Sequence, residues 1–81
     1  MEKKYLNAEE EAYKQLKRAI MLRNLLPGQQ LTEEWISKNL KMSRTPVRAA
    51  FKQLEQDGII KIVPRRGAFV HEPSVKEIRD V

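Results

Sequence analysis

Ser43-Arg44-Thr45-Pro46-Val47-Arg48-Ala49-Ala50-Phe51-Lys52-Gln53-Leu54-Glu55-Gln56-Asp57-Gly58, running on into Ile59-Ile60-Lys61-Ile62-Val63-Pro64-Arg65-Arg66-Gly67-Ala68-Phe69-Val70-His71, decides the fold. The first half has the period of a helix. Val47, Ala50, Phe51 and Leu54 gather within about a third of the helical wheel, while Arg44, Thr45, Arg48, Ala49 and Lys52 take the opposite arc. Ser43 is the expected N-cap, and Pro46 falls in the first turn, where a missing N–H costs nothing. Asp57-Gly58 ends the helix, with Gly58 suited to the left-handed position just past it. The period then changes: Ile59–Val63 is a β-branched run, Pro64–Gly67 a turn and Ala68–His71 a second strand. A β-hairpin with two arginines at its tip is predicted.

Upstream, Thr32 reads as a second N-cap, followed by Glu33 and Glu34 where the helix dipole favours anions. Trp35, Ile36 and Leu40 supply the buried side of this helix, with Trp35 as a core or rim filler. It is too short to stand alone and must pack on its neighbours. Met42 separates it from the helix that Ser43 opens, and Gln29-Gln30-Leu31 reads as an extended bridge or minimal strand. A first helix opens at Asn7, with Glu10 reaching back to complete a capping box. It carries Tyr13, Leu16 and Ile20 in one apolar stripe beside Ala12 and Ala19, and Pro27-Gly28 is expected to stop it.

The expected fold is mainly α with a small β-hairpin, a winged helix-turn-helix with a three-helix core and a two- or three-stranded wing. It would occupy residues 1–72, with the helix-turn-helix at 32–57 and the wing at 59–71. Pro73-Ser74 then breaks the chain, and residues 73–81 read as a linker and the start of a further domain.

Length and composition limit what else the chain does. At 81 residues it makes about one small domain with a thin core, leaving little room for a deep substrate cleft. With no cysteine and one histidine it offers neither a disulfide framework nor a plausible thiolate or imidazole metal site. There is no Cys nucleophile, no His with a second His or a paired carboxylate nearby, and no glycine-rich phosphate loop, so no enzyme and no cofactor are expected. Met1-Glu2-Lys3-Lys4 lacks the apolar stretch of a signal peptide, and no run approaches a membrane span. A cytoplasmic, nucleoid-associated protein is expected.

The net charge of +5 is unevenly spread. Residues 41–71 hold seven Lys/Arg against Glu55 and Asp57, a balance of +5, while residues 1–40 balance at +1 and residues 72–81 at −1. Such a patch fits a polyanionic partner or merely a solvated basic surface, and charge alone leaves both open. Position along the helix favours the partner. Arg44 and Arg48 lie one turn apart at the start of a helix sized for the major groove of B-DNA. An arginine fork matches guanine O6 and N7, a pairing worth about 1–3 kcal/mol of discrimination. Thr45 suits a base edge or a phosphate, Ser43 and the first free amides suit a phosphate, and Ala49 keeps the approach uncluttered. Arg65 and Arg66 could reach the adjacent minor groove, with Gly67 allowing close approach. An ordinary charged surface accounts for Lys52 beside Glu55 or Gln56. It does not account for Arg44, since a cation in a first turn is unfavourable by roughly 0.3–1 kcal/mol. His71 is assigned no role.

Leu26-Pro27-Gly28-Gln29-Gln30-Leu31-Thr32-Glu33-Glu34, then Met42 through Ala50, Asp57-Gly58-Ile59-Ile60 and Val63 through Val70 resemble the DNA-binding domain of GntR-family bacterial regulators. The likeness covers residues 8–71 and centres on Ser-Arg-Thr-Pro-Val-Arg. It implies a transcription factor that binds double-stranded DNA at an inverted-repeat operator. The full-length protein would be a homodimer whose all-helical C-terminal domain takes a small-molecule effector. By the same likeness Ser43, Arg44, Thr45, Arg48, Arg65, Arg66 and Gly67 are DNA contacts, and Lys52, on the same exposed arc of the helix, completes the expected DNA-binding set. Lys41 stands where a glycine is frequent, and Glu33-Glu34 where some relatives are basic, so no base contact is carried over there. The competing reading is a winged-helix module that uses the same face against an acidic protein.

Overall fold

In a computed structural model of the chain, which describes residues 7–72, Asn7 opens helix α1 (Ala8–Met21) through the expected capping box. The Asn7 side chain accepts from the Glu10 amide at 2.7 Å, and the Glu10 carboxylate accepts from the Asn7 amide at 3.3 Å. After α1 come β1 (Gln30–Leu31), α2 (Glu33–Leu40), α3 (Arg44–Gln56), β2 (Ile60–Val63) and β3 (Gly67–Val70). This is the winged helix-turn-helix, with a three-stranded wing. The reading of residues 73–81 as linker lies outside the described residues.

α1 ends at Met21, well before Pro27-Gly28. The cause is a reversal at Arg23, whose φ is 66°. There the Asn24 amide returns to the Ala19 carbonyl at 2.8 Å and the Arg23 amide to the Ile20 carbonyl at 3.1 Å. Those two bonds are the Schellman closure, and the reversal turns Leu25 into the core. Pro27-Gly28 instead shapes the entry to β1, where the Gly28 amide donates to the Val70 carbonyl at 2.9 Å.

α2 and α3 close in the same manner. Met42 bonds back to Ser37 at 3.0 Å and Ile59 to Leu54 at 2.9 Å, with Lys41 (φ 58°) and Gly58 (φ 77°) at the left-handed positions. Lys41 thus adopts the conformation that a glycine would take freely, and the turn between the two helices keeps its shape.

The core joins Ala12 and Leu16 of α1, Ile36 of α2, the Val47–Ala50–Phe51–Leu54 stripe of α3, and Leu31, Ile60, Ala68 and Val70 from the strands. α3 is the central helix, packed on α1, α2 and β2. Trp35 departs from its expected burial. It is 51% exposed, because Ile36 and Ser37 take the inner face of α2 and leave the indole to the side. The sheet is antiparallel in the order β1-β3-β2, with Leu31 opposite Ala68 on one side and Ile62 opposite Ala68 on the other.

Candidate nucleic-acid interface

Three helices begin among the described residues, and only one of them is left uncapped by its side chain. Asn7 accepts from the amide of Glu10, and Thr32 from the amide of Trp35 at 3.1 Å, in each case the residue three positions on. At α3 that position is Pro46, which has no N–H to give. Ser43 therefore has the extended backbone of an N-cap, φ −72° and ψ 171°, but makes no capping bond. Its hydroxyl and the first amides of α3 stay available to an outside acceptor. The exposed start of the helix carries no acidic residue of its own.

Arg44 and Arg48 both project from this end and are exposed. They do not stand free. The Glu33 carboxylate accepts from Nε and Nη2 of Arg48, both at 3.1 Å. A single, longer contact of 3.6 Å joins Arg44 Nη2 to Glu34. The expectation that the first-turn arginine lacks compensation within the chain is corrected by this contact: the start of α2 lies against the start of α3 and supplies the carboxylate. Hydrogen bonding to Glu33, then its charge, raises the Arg48 pKa further, so that arginine is always a cation. Both acids were visible in the sequence, yet a charge sum taken segment by segment puts them in a different block from the arginines they meet.

Lys52 continues the exposed face one turn along and pairs with no acid among the described residues. Glu55, its expected companion, accepts instead from the Ile62 amide at 3.1 Å and ties α3 to β2. A shallow groove of about 510 Å³ runs between α3, the start of α2 and the wing, lined by Leu31, Phe51 and Ile62, by Arg44, Arg48 and Lys52, and by the acids Glu33 and Glu34. Thr45 is exposed on the same helix end.

The wing tip is a β-turn closed by the Arg66 amide on the Val63 carbonyl at 3.0 Å. Pro64 leads it and Arg65 takes φ 66° at its third position, the pattern of a type II turn. Arg65 and Arg66 are exposed and form no ion pair among the described residues. Gly67 begins β3 rather than ending the turn, and its need for glycine is internal. Its φ is 106°, and an added Cβ would lie 3.3 Å from Gln30 Nε2, which donates to the Arg66 carbonyl at 2.7 Å. Arg44, Thr45, Arg48 and Lys52 thus lie along α3 with Ser43 just ahead of it, and Arg65 and Arg66 stand on the wing turn next to Gly67, which lines the groove. No helix among the described residues is long and apolar enough to cross a membrane.

A family model described as bacterial regulatory proteins, gntR family, matches residues 8–70. The HTH-type transcriptional repressor RspR of Escherichia coli strain K12 is 37% identical over 71 residues, covering 88% of this chain and 31% of its own. A transcriptional regulator GntR of Rhodococcus sp. RHA1 superposes with a TM-score of 0.80 at 32% identity, over 89% of this chain and 35% of that one. The N-terminal domain of AraR, solved in complex with mutant ORR3, gives a TM-score of 0.72 at 26% identity, over 80% of this chain and 94% of that one. The chain spans about a third of the length of the curated relatives it matches.

Proposed function

This chain belongs to the gntR family of bacterial regulatory proteins, and on that footing we propose that it is the DNA-reading domain of a transcriptional regulator. α3 enters the major groove of double-stranded DNA and the β2–β3 turn meets the adjacent minor groove. One observation carries the reading: two guanidinium groups a turn apart stand at an exposed helix start whose amides and Ser43 hydroxyl are uncommitted. Such an end offers phosphate contacts that fix register and arginine forks that read bases. Arg44, Thr45 and Arg48 face base edges, Ser43 and Lys52 face phosphates, and Arg65 and Arg66 serve the minor groove.

RspR is named a transcriptional repressor and is about three times as long as the matched region. A second domain that dimerises and takes a small-molecule effector fits that length, and a two-fold dimer would favour an inverted-repeat operator. Linking two reading heads raises avidity by roughly 10²–10⁴. The 81-residue chain alone should therefore bind weakly and as a monomer.

Selection of duplexes from a random pool tests the reading. A defined half-site should emerge, with log K falling by about 0.9 per phosphate neutralised as log salt rises. Arg48→Ala or Arg44→Ala should erase preference at one or two base pairs, whereas Arg65→Ala should weaken all duplexes alike. Equal binding to every duplex, unchanged by either α3 substitution, would sink the reading in favour of a protein-binding module.

A further inference from the structure

Building on α3 as the helix that enters the groove, we propose that Glu33 is a positioning residue for base readout, fixing which edge of the Arg48 guanidinium faces the DNA. The guanidinium is a planar fork with donors on two usable edges. Glu33 takes the side edge: Oε2 accepts from Nε and Oε1 from Nη2, each at 3.1 Å. What remains is the end edge, made of Nη1 and the second hydrogen of Nη2. Two parallel donors there suit the O6 and N7 acceptors of guanine.

Glu33 is itself well placed to brace. It opens α2, where the dipole favours an anion, directly after the Thr32 cap. Its side chain is only 30% exposed, against 62% for Glu34. The Glu34 contact with Arg44, at 3.6 Å and through one nitrogen, is too long to orient a fork. The two arginines are thus unequal: Arg48 is set before DNA arrives, and Arg44 must be ordered on binding. Ordering a long side chain beforehand lowers what binding must spend on it. A carboxylate beside a polyanion also repels every duplex. Glu33 therefore lowers general affinity while sharpening discrimination.

The test uses the 81-residue chain, its selected half-site, that site with the Arg48-dependent base pair replaced, and a random duplex. Glu33→Gln should bind the random duplex a few-fold more tightly. Its preference for the intact site should fall about fivefold or more, toward that of Arg48→Ala. Glu34→Gln should raise all affinities and leave the preference alone, and Glu33→Gln added to Arg48→Ala should leave it unchanged too. Glu33→Asp, which keeps the charge but is one methylene short of reaching both nitrogens from its place on α2, should lose preference without gaining general affinity; it also decides the matter should the glutamine variant fail to fold. If Glu33→Gln raises intact and altered sites by one factor, Glu33 is only a repelling charge and the proposal fails. A larger gain on the intact site would mean that Glu33 withholds Arg48 from DNA, which also overturns it. A wild-type chain with no preferred site, or an Arg48→Ala variant that keeps it, would instead break the underlying reading of α3 and this proposal with it.

Discussion

At its C-terminal end α3 is tied to two other elements and closes its own last turn. Asp57 accepts a hydrogen bond from the Tyr13 hydroxyl of α1, Glu55 accepts from the Ile62 amide of β2, and Gly58 closes the last turn onto Glu55 while Ile59 returns to Leu54. At its N-terminal end the same helix has an uncapped Ser43, open amides, and two exposed arginines held only from the side by α2. The contrast shows how a small domain presents a polar helix start to water without burying it. The far end and the Val47–Leu54 stripe hold the helix in place, so the near end need not contribute to stability and can be shaped for a partner.

Substitution at each end tests this division. Leu54 is fully buried, and Leu54→Ala should cost about 2–5 kcal/mol in urea unfolding, enough to leave a domain of this size barely folded. Ser43→Ala should cost less than about 0.5 kcal/mol, since no capping bond is lost, while still weakening DNA binding. A loss near the ~1 kcal/mol of a true cap would show that the near end carries stability after all.

The helix reversals sharpen the comparison at a smaller scale. Nothing lies within 4 Å of a Cβ added at Gly58, so Gly58→Ala reports the left-handed backbone alone and should destabilise by about 1 kcal/mol. Lys41 already carries that strain at φ 58°. Lys41→Gly should act in the opposite sense, raising the melting temperature by a few degrees for up to about 1 kcal/mol gained. A Lys41→Gly variant that melts lower would mean the lysine earns its place through a contact rather than enduring the turn.

What could be read from the sequence followed how local its cause was. α3 and the wing were legible because the four-residue apolar spacing, Gly58 and the Pro64–Gly67 turn all act within a few residues. The end of α1 was not. Arg23 has no sequence signal for a left-handed turn, and only the burial of Leu25 against distant elements selects it. Trp35 was misplaced because Ile36 and Ser37, one and two positions on, take the inner face of α2. In the candidate site, the arginines were identified by position on their own helix. Their bracing acids were not, because Glu33 lies 15 residues from Arg48 and meets it only once the helix-turn-helix has closed.

The smallest expected effect belongs to the tie between Tyr13 and Asp57, and pH isolates it. The hydroxyl donates to the Asp57 carboxylate, and that bond, with burial and the carboxylate charge, raises the Tyr13 pKa above its ordinary value. The folded protein thus holds this proton more tightly than the unfolded chain does. The tie contributes fully below about pH 10 and fades as pH rises through the raised folded value. Tyr13→Phe should therefore lower the urea midpoint slightly at pH 8, and the gap from wild type should close as both are taken to strongly alkaline pH. The two chains share every other ionisable group, so the difference between them is the informative quantity. A gap that stays constant with pH would show that the ring, and not its hydroxyl, anchors the far end of α3. The same substitution should leave base preference untouched, since the near end is placed by α2 and the core stripe; a change in preference would mean that the two ends are coupled along the helix.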